Sequence, residues 1–154
     1  MKQKQTFSDK VFQFDQELGN IKFNLPEPYK IINPYSGRNK KQVLPMIQIF
    51  YHKYFNDTSK RCLILGSSPA RRGSAITGVP FEDASNLLKE TGISIANFHV
   101  NNAASNFLNE VIDKYGGRIK FYHDFYLNFV CPLGICKTNS KANLRFKCRN
   151  YKRS

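Results

Sequence analysis

The chain has 154 residues, 41% of them hydrophobic, and a formal net charge of +13. That length accommodates one domain with a true core; no apolar run approaches the roughly 20 residues of a membrane span, and residues 1–10 are too polar for a secretory signal. Four cysteines without a CxxC pair, and three histidines distant from any Cys-rich cluster, argue against a zinc module, so neither metal nor cofactor is expected.

The first periodic segment opens at Thr6, with Asp9 three residues on as a capping partner. It sets Val11, Phe14 and Leu18 on one face until Gly19 stops it, which predicts a docking helix. Residues 25–37 contain Pro26, Pro28 and Pro34 and are predicted as extended loop, followed by the basic cluster Arg38, Lys40 and Lys41. Residues 42–55 are apolar on most sides and predict a helix buried against a sheet, with Pro45 in its first turn. His52 on that helix reads as a packed or surface histidine, because no acid precedes it at helical spacing.

A short apolar run of strand length follows at 62–66, with Cys62 read as a reduced core residue. Beyond Phe81 a short helix is predicted over 84–90, with Leu87 and Leu88 facing inward and Gly92 as its stop. Residues 93–98 predict a strand. Residues 103–115 predict a helix with Phe107, Leu108, Val111, Ile112 and Tyr115 on the buried side, ended by Gly116 and Gly117. Strands alternating with helices point to an α/β fold with a parallel sheet. Most of the 8 Tyr and 13 Phe are read as core.

Two stretches carry chemistry. The first starts at Cys62 and drops from the apolar run into Gly66, Ser67, Ser68 and Pro69, then continues through Thr77, Gly78 and Pro80 to Phe81. A buried parallel strand that ends in such a loop places it at the carboxyl end of a sheet, where α/β folds bind ligands; an ordinary strand-to-loop connection has the same composition. The second, 125–134, is an aromatic and β-branched run closed by Pro132 and Gly134, with Asn128 set inside it. A buried carboxamide needs partners, so Asn128 either satisfies nearby backbone or reads the edge of a ligand.

Together these stretches resemble the uracil-DNA glycosylase superfamily, and within it the single-strand-selective monofunctional (SMUG-like) branch and its bacterial relatives. Gly66, Pro69, Gly73, Thr77, Gly78, Pro80 and Phe81 match the first motif of that branch, and Asn128, Cys131, Pro132 and Leu133 match the second. The likeness runs from about Thr6 to Lys137. It implies a three-layer α/β/α domain over 1–137 with a central, mainly parallel sheet, C-terminally incomplete relative to the family, and a basic, flexible tail over 138–154. Parallel pairing of the strands at 62–66 and 126–130 would set both motif loops on one rim.

The resemblance also implies a function: base-excision repair by flipping uracil out of DNA and hydrolysing its N-glycosidic bond, as a monofunctional DNA N-glycosylase. Asn128 would read the uracil edge, with Gly66, Ser67, Pro69 and Phe81 lining the base site. Ser68 stands where the family has its catalytic Asn, which positions the attacking water. Ala70 replaces a Gly, and Arg72 replaces the aromatic that would stack on the base. The family's late histidine motif has no counterpart.

These departures imply slow activity at most, and leave open a second reading as an impaired or truncated relative that only binds nucleic acid. Arg71, Arg72, Lys137, Lys141 and Arg145 are the candidate DNA contacts, and no acid occurs after Asp124. The expected partner is uracil-containing DNA, single or double stranded, bound by a monomer without membrane contact, in the cytoplasm and associated with the nucleoid.

Overall fold

The computed structural model describes residues 4–71, 73–95 and 102–138, with the backbone alone at 102–104. In chain order the elements are α1 Phe7–Asn20, β1 Tyr29–Ile32, α2 Lys40–Phe55, β2 Cys62–Gly66, α3 Ser74–Thr77, α4 Ala84–Thr91, α5 Asn102–Tyr115, α6 Arg118–Asp124, β3 Phe125–Phe129 and β4 Gly134–Lys137. No helix among the described residues is long and apolar enough to cross a membrane.

Helix α1 starts where its cap predicts. The Thr6 hydroxyl accepts from Asp9 N–H (3.1 Å), and the Asp9 carboxylate accepts from Thr6 N–H (2.9 Å). Its buried positions are Ser8, Val11, Asp15 and Leu18, whereas Phe14 is turned out. The helical period of 3.6 residues accounts for this correction: once Val11 and Leu18 face inward, position 15 shares their stripe and position 14 lies off it.

Helix α2 begins two residues earlier than predicted, so Pro45 falls in the second turn rather than the first. It buries Val43, Met46, Ile47, Phe50, Tyr51, Tyr54 and Phe55, and it is the spine of the core. Phe50 makes tilted or edge-on contacts with Tyr54 and Tyr122 at 4.9 and 5.5 Å, the geometry that aromatic rings prefer.

The strands form two pairs. β2 and β3 run parallel, as expected of the two motif strands, while β1 and β4 pair antiparallel, Tyr29 opposite Lys137 and Ile32 opposite Gly134. Among the described residues, the expected central sheet is thus represented by one parallel pair beside an antiparallel one. Neither β1 nor β4 was predicted. They are four residues each and meet across more than a hundred positions of chain, a pairing for which no local pattern exists.

Strand β2 departs from its expected burial. Leu63, Ile64 and Leu65 are 57%, 41% and 52% exposed, and Cys62 is exposed as well, so it is no core cysteine. An apolar run reads as doubly covered because parallel strands usually are. Among the described elements β2 makes its broad contact with β3, edge to edge, and no helix packs broadly over its faces, so its side chains stay open.

The helices on the carboxyl side show the same selectivity. Leu87 of α4 is fully buried and Leu88 exposed, and in α5 Ile112 is buried while Phe107 and Val111 face outward. The strand predicted over 93–98 has no ladder at 93–95, and the rest of it lies outside the described residues.

Candidate functional site

The two motif strands bring their loops together by backbone bonding that continues past the strand ends. Gly66 stands opposite Phe129 in the parallel register. Beyond it, Val130 N–H donates to Gly66 O (2.9 Å) and Cys131 N–H to Ser67 O (3.1 Å). The segments 67–70 and 130–133 therefore leave the pair side by side at its carboxyl end, where ligands enter sheets of this kind. They also meet farther on. A Cβ on Gly134 would fall 2.7 Å from Ala75 Cβ and 3.1 Å from Ile32 Cβ, so the start of β4 packs bare backbone against α3 and β1.

Gly66 has a second close neighbour. A Cβ there would lie 2.7 Å from Phe81 Cζ and 2.9 Å from Phe129 Cδ1, so both rings rest on its unsubstituted backbone. The rings stack with centroids 4.7 Å apart and planes 24° off parallel. Phe81 has φ +63°, a conformation costly for a bulky residue, and its neighbours hold it there. Its N–H donates to Ser74 Oγ (3.0 Å), and the Thr77 hydroxyl donates to Glu82 O (3.2 Å). The carboxylate of Glu82 is buried and accepts from Arg118 Nη1 and from the Tyr122 hydroxyl. Burial, followed by the nearby Glu82 charge, keeps the Tyr122 phenol well above its ordinary pKa and therefore a donor.

The predicted site residues fall as follows. Ser67 and Ser68 are exposed on the rim, and Pro69 is buried beneath it. Arg71 is exposed just past the loop, and Lys137 is exposed at the end of β4. Arg72, Lys141 and Arg145 lie outside the described residues. Asn128 is half-buried and stands opposite Leu65 in the ladder. Its Oδ1 accepts from Phe129 N–H (2.8 Å), and its Nδ2 donates to the Tyr126 hydroxyl (2.9 Å). By the alternation of a strand, Tyr126 and Asn128 share one side of β3, and Leu127 and Phe129 the other.

Of the histidines, His52 is exposed on α2, and His123 is exposed beside Asp124 with Nδ1 and Oδ1 2.9 Å apart. His123 precedes β3, at the far end of that strand from the motif loops, about 13 Å of strand away. His99 lies outside the described residues.

Sequence reasoning missed Phe129, Tyr126 and the Glu82–Arg118–Tyr122 cluster. Glu82 gave a signal: it is one of only 11 acids and directly follows the Thr77–Phe81 motif. Nothing local marks Arg118 or Tyr122 as its partners.

No protein-family model matches the sequence, and no curated protein does. Among solved structures, that of Pedobacter heparinus SMUG2 is similar to this chain, with a TM-score of 0.76 and 38% identity. The match covers 89% of this chain and 58% of that one, so this chain spans well under two thirds of the length of that protein. The likeness supports a SMUG-like relation within the uracil-DNA glycosylase superfamily.

Proposed function

We propose that this chain recognises uracil in DNA and hydrolyses its N-glycosidic bond slowly, as a SMUG-like monofunctional glycosylase acting as a monomer in the cytoplasm, near the nucleoid. The observation that carries this reading is the shared rim. The Gly66–Pro69 loop and the Cys131–Leu133 loop leave one parallel pair together, with Phe81 and Phe129 stacked over Gly66. The similarity to SMUG2 supports it. In this reading the domain is a three-layer α/β/α unit over 1–137 with a mainly parallel central sheet, followed by a basic tail.

The chemistry divides among few groups. Breaking the bond leaves charge on the departing base and an oxocarbenium-like sugar, so a site needs donors for the first and a positioned water for the second. Asn128 reads the base edge, and the Gly66 and Ser67 amides are the donors assigned to the departing ring. Phe81, stacked on Phe129 on the side of β3 opposite Asn128, has to meet the base face around the strand end. Ser68 orients the water less well than a carboxamide would, because its hydroxyl is shorter and diverges differently from the backbone. The loss of one well-placed group lowers such a rate on the order of 100-fold to 1,000-fold.

Release of free uracil from a uracil-containing oligonucleotide, against the same oligonucleotide with thymine, tests the reading. Slow release is expected, and Ser68→Asn is expected to raise it only if a histidine donor reaches the departing base. A fast wild-type rate would show that the late histidine motif is dispensable.

A second reading, nucleic-acid binding without catalysis, is favoured by Ser68 at the water position and by the distance of His123 from the rim. It rests on a net charge of +13 with an acid-free stretch after Asp124. Binding to an undamaged oligonucleotide is expected to weaken steeply with salt, and deletion of 138–154 to lower that salt slope. A titration in which neither salt nor the deletion matters would remove phosphate contact as the basis of binding.

A further inference from the structure

We propose that Tyr126 is a positioning residue that holds the Asn128 carboxamide in the orientation selecting uracil over cytosine; this rests on the base-recognition reading above. The two ends of a carboxamide differ only in what they can bond. Phe129 N–H can only donate, so the atom 2.8 Å from it must be the acceptor Oδ1. Nδ2 then points to the Tyr126 hydroxyl at 2.9 Å and donates to it. With the amide flipped, an N–H would face the Phe129 N–H and that part-buried contact would be lost.

What remains on the amide is one Nδ2 proton and one Oδ1 lone pair, in fixed order. Uracil presents a donor at N3 and an acceptor at O4, which this order satisfies. Cytosine presents an acceptor at N3 and a donor at N4, and it would require the flip. The Phe129 N–H belongs to backbone and is fixed by the ladder. The Tyr126 hydroxyl can accept or donate, so the choice of ends belongs to the Phe129 N–H; Tyr126 is the side chain that ties down Nδ2 and keeps the amide from rotating away from that N–H.

Tyr126 is built to hold still. It lies two residues before Asn128, on the same side of β3, and its ring meets Phe7 edge-on at 5.1 Å and Phe55 at 5.9 Å. Burial raises its phenol pKa, so the hydroxyl stays neutral across the working range. The Arg61 guanidinium lies over the same two rings, 4.8 Å from Phe7 and 5.1 Å from Phe55, and closes the support from behind.

Tyr126→Phe removes the hydroxyl and keeps the ring, so the packing against Phe7 and Phe55 is retained. Two measurements on the full chain test the proposal. In the first, the affinity for a short single-stranded oligonucleotide with one uracil is compared with that for the same oligonucleotide carrying cytosine. The preference is expected to fall on the order of tenfold in the variant, the scale of one lost hydrogen bond. In the second, the Asn128 side-chain amide protons are followed by nuclear magnetic resonance in the free protein. They are expected to be slow to exchange and distinct in the wild type, and to exchange faster and converge in Tyr126→Phe. Unchanged amide signals overturn the positioning role whatever the protein binds, and so does an unchanged preference in the variant. A wild type that does not prefer uracil at all refutes base recognition itself, and the selectivity claim with it.

Discussion

Asp15→Asn is expected to stabilise the protein at neutral pH by about 4 kcal/mol and to remove most of the decline in stability between pH 4 and 8. Asp15 is 3% exposed on the inner stripe of α1, with the Tyr51 hydroxyl donating to its Oδ2 at 3.0 Å. Burial pushes its carboxyl from 3.8 up to about 8, against the opposing hydrogen bond from Tyr51. Between those two values the folded chain holds a proton that the unfolded chain has released. The stability contributed by the neutral acid is therefore whole below pH 3.8 and is lost as pH rises to about 8, at about 1.4 kcal/mol for each pH unit. Asn carries no charge in either state and keeps an acceptor for Tyr51. Urea unfolding from pH 4 to 9, wild type against variant, gives the difference curve. Parallel curves would mean that Asp15 is ionised in the folded protein.

Arg61→Ala is expected to cost about 2 kcal/mol, below the ~3–5 kcal/mol of breaking a fully buried ion pair, because the Asp57 side chain is 37% exposed and water can take the place of the guanidinium there. The Arg61 side chain is wholly buried, and all five of its N–H donors find acceptors. Nη2 and Nη1 reach the two Asp57 oxygens at 2.7 and 3.0 Å, Nε reaches Tyr122 O at 2.7 Å, and the remaining protons go to Ser59 O and Tyr54 O at 3.2 and 3.4 Å. These bonds join the end of α2, the entry to β2 and the end of α6. Without Arg61 three carbonyls and a carboxylate lose their donor at once.

Arg61→Lys, a single point charge in place of a planar fork, is expected to recover only part of the loss. The pH profile gives a second check. Hydrogen bonding to Arg61 lowers Asp57 to about 2, so the stability from this pair is present above pH 3.8 and is lost as pH falls toward 2. That acid-side loss should be absent from Arg61→Ala. Thermal melts at pH 3 and pH 7 for the three proteins would expose an error: equal wild-type and Arg61→Ala stabilities at pH 7 would mean that the cluster contributes nothing net.

The parts of the fold that were legible in the sequence are those with a short-range cause. The Thr6–Asp9 cap, the apolar period of α2, the glycine stops at Gly92 and Gly117, and the strand-to-loop transitions at Gly66 and Phe129 are encoded within a few residues of where they act. Of the candidate site, the motif residues could be read, and the parallel pairing that sets their loops together followed from the Pro and Gly that close both strands. Periodicity found which segments are helices more reliably than which side faces in. Leu87 and Ile112 are buried as expected, but Leu88, Phe107 and Val111, expected inward with them, face out, and Asp15 holds the buried position expected of Phe14.

The sequence by itself determined that this is a basic, aromatic-rich α/β chain carrying two motif loops, because hydrophobic spacing, caps and turn residues act locally. Only the tertiary structure decided which polar groups are sealed inside and what they touch. Asp15 is buried because α1 lies on α2, Arg61 has five acceptors because three elements converge on it, and Asn128 has a defined orientation because Tyr126 and the Phe129 N–H stand on either side of its amide. Each of these depends on contacts between segments far apart in the chain or on the direction of a side chain across a strand. Burial converts those placements into energy: a polar group costs little in water and much in a core, so its partners become decisive once folding has removed the solvent.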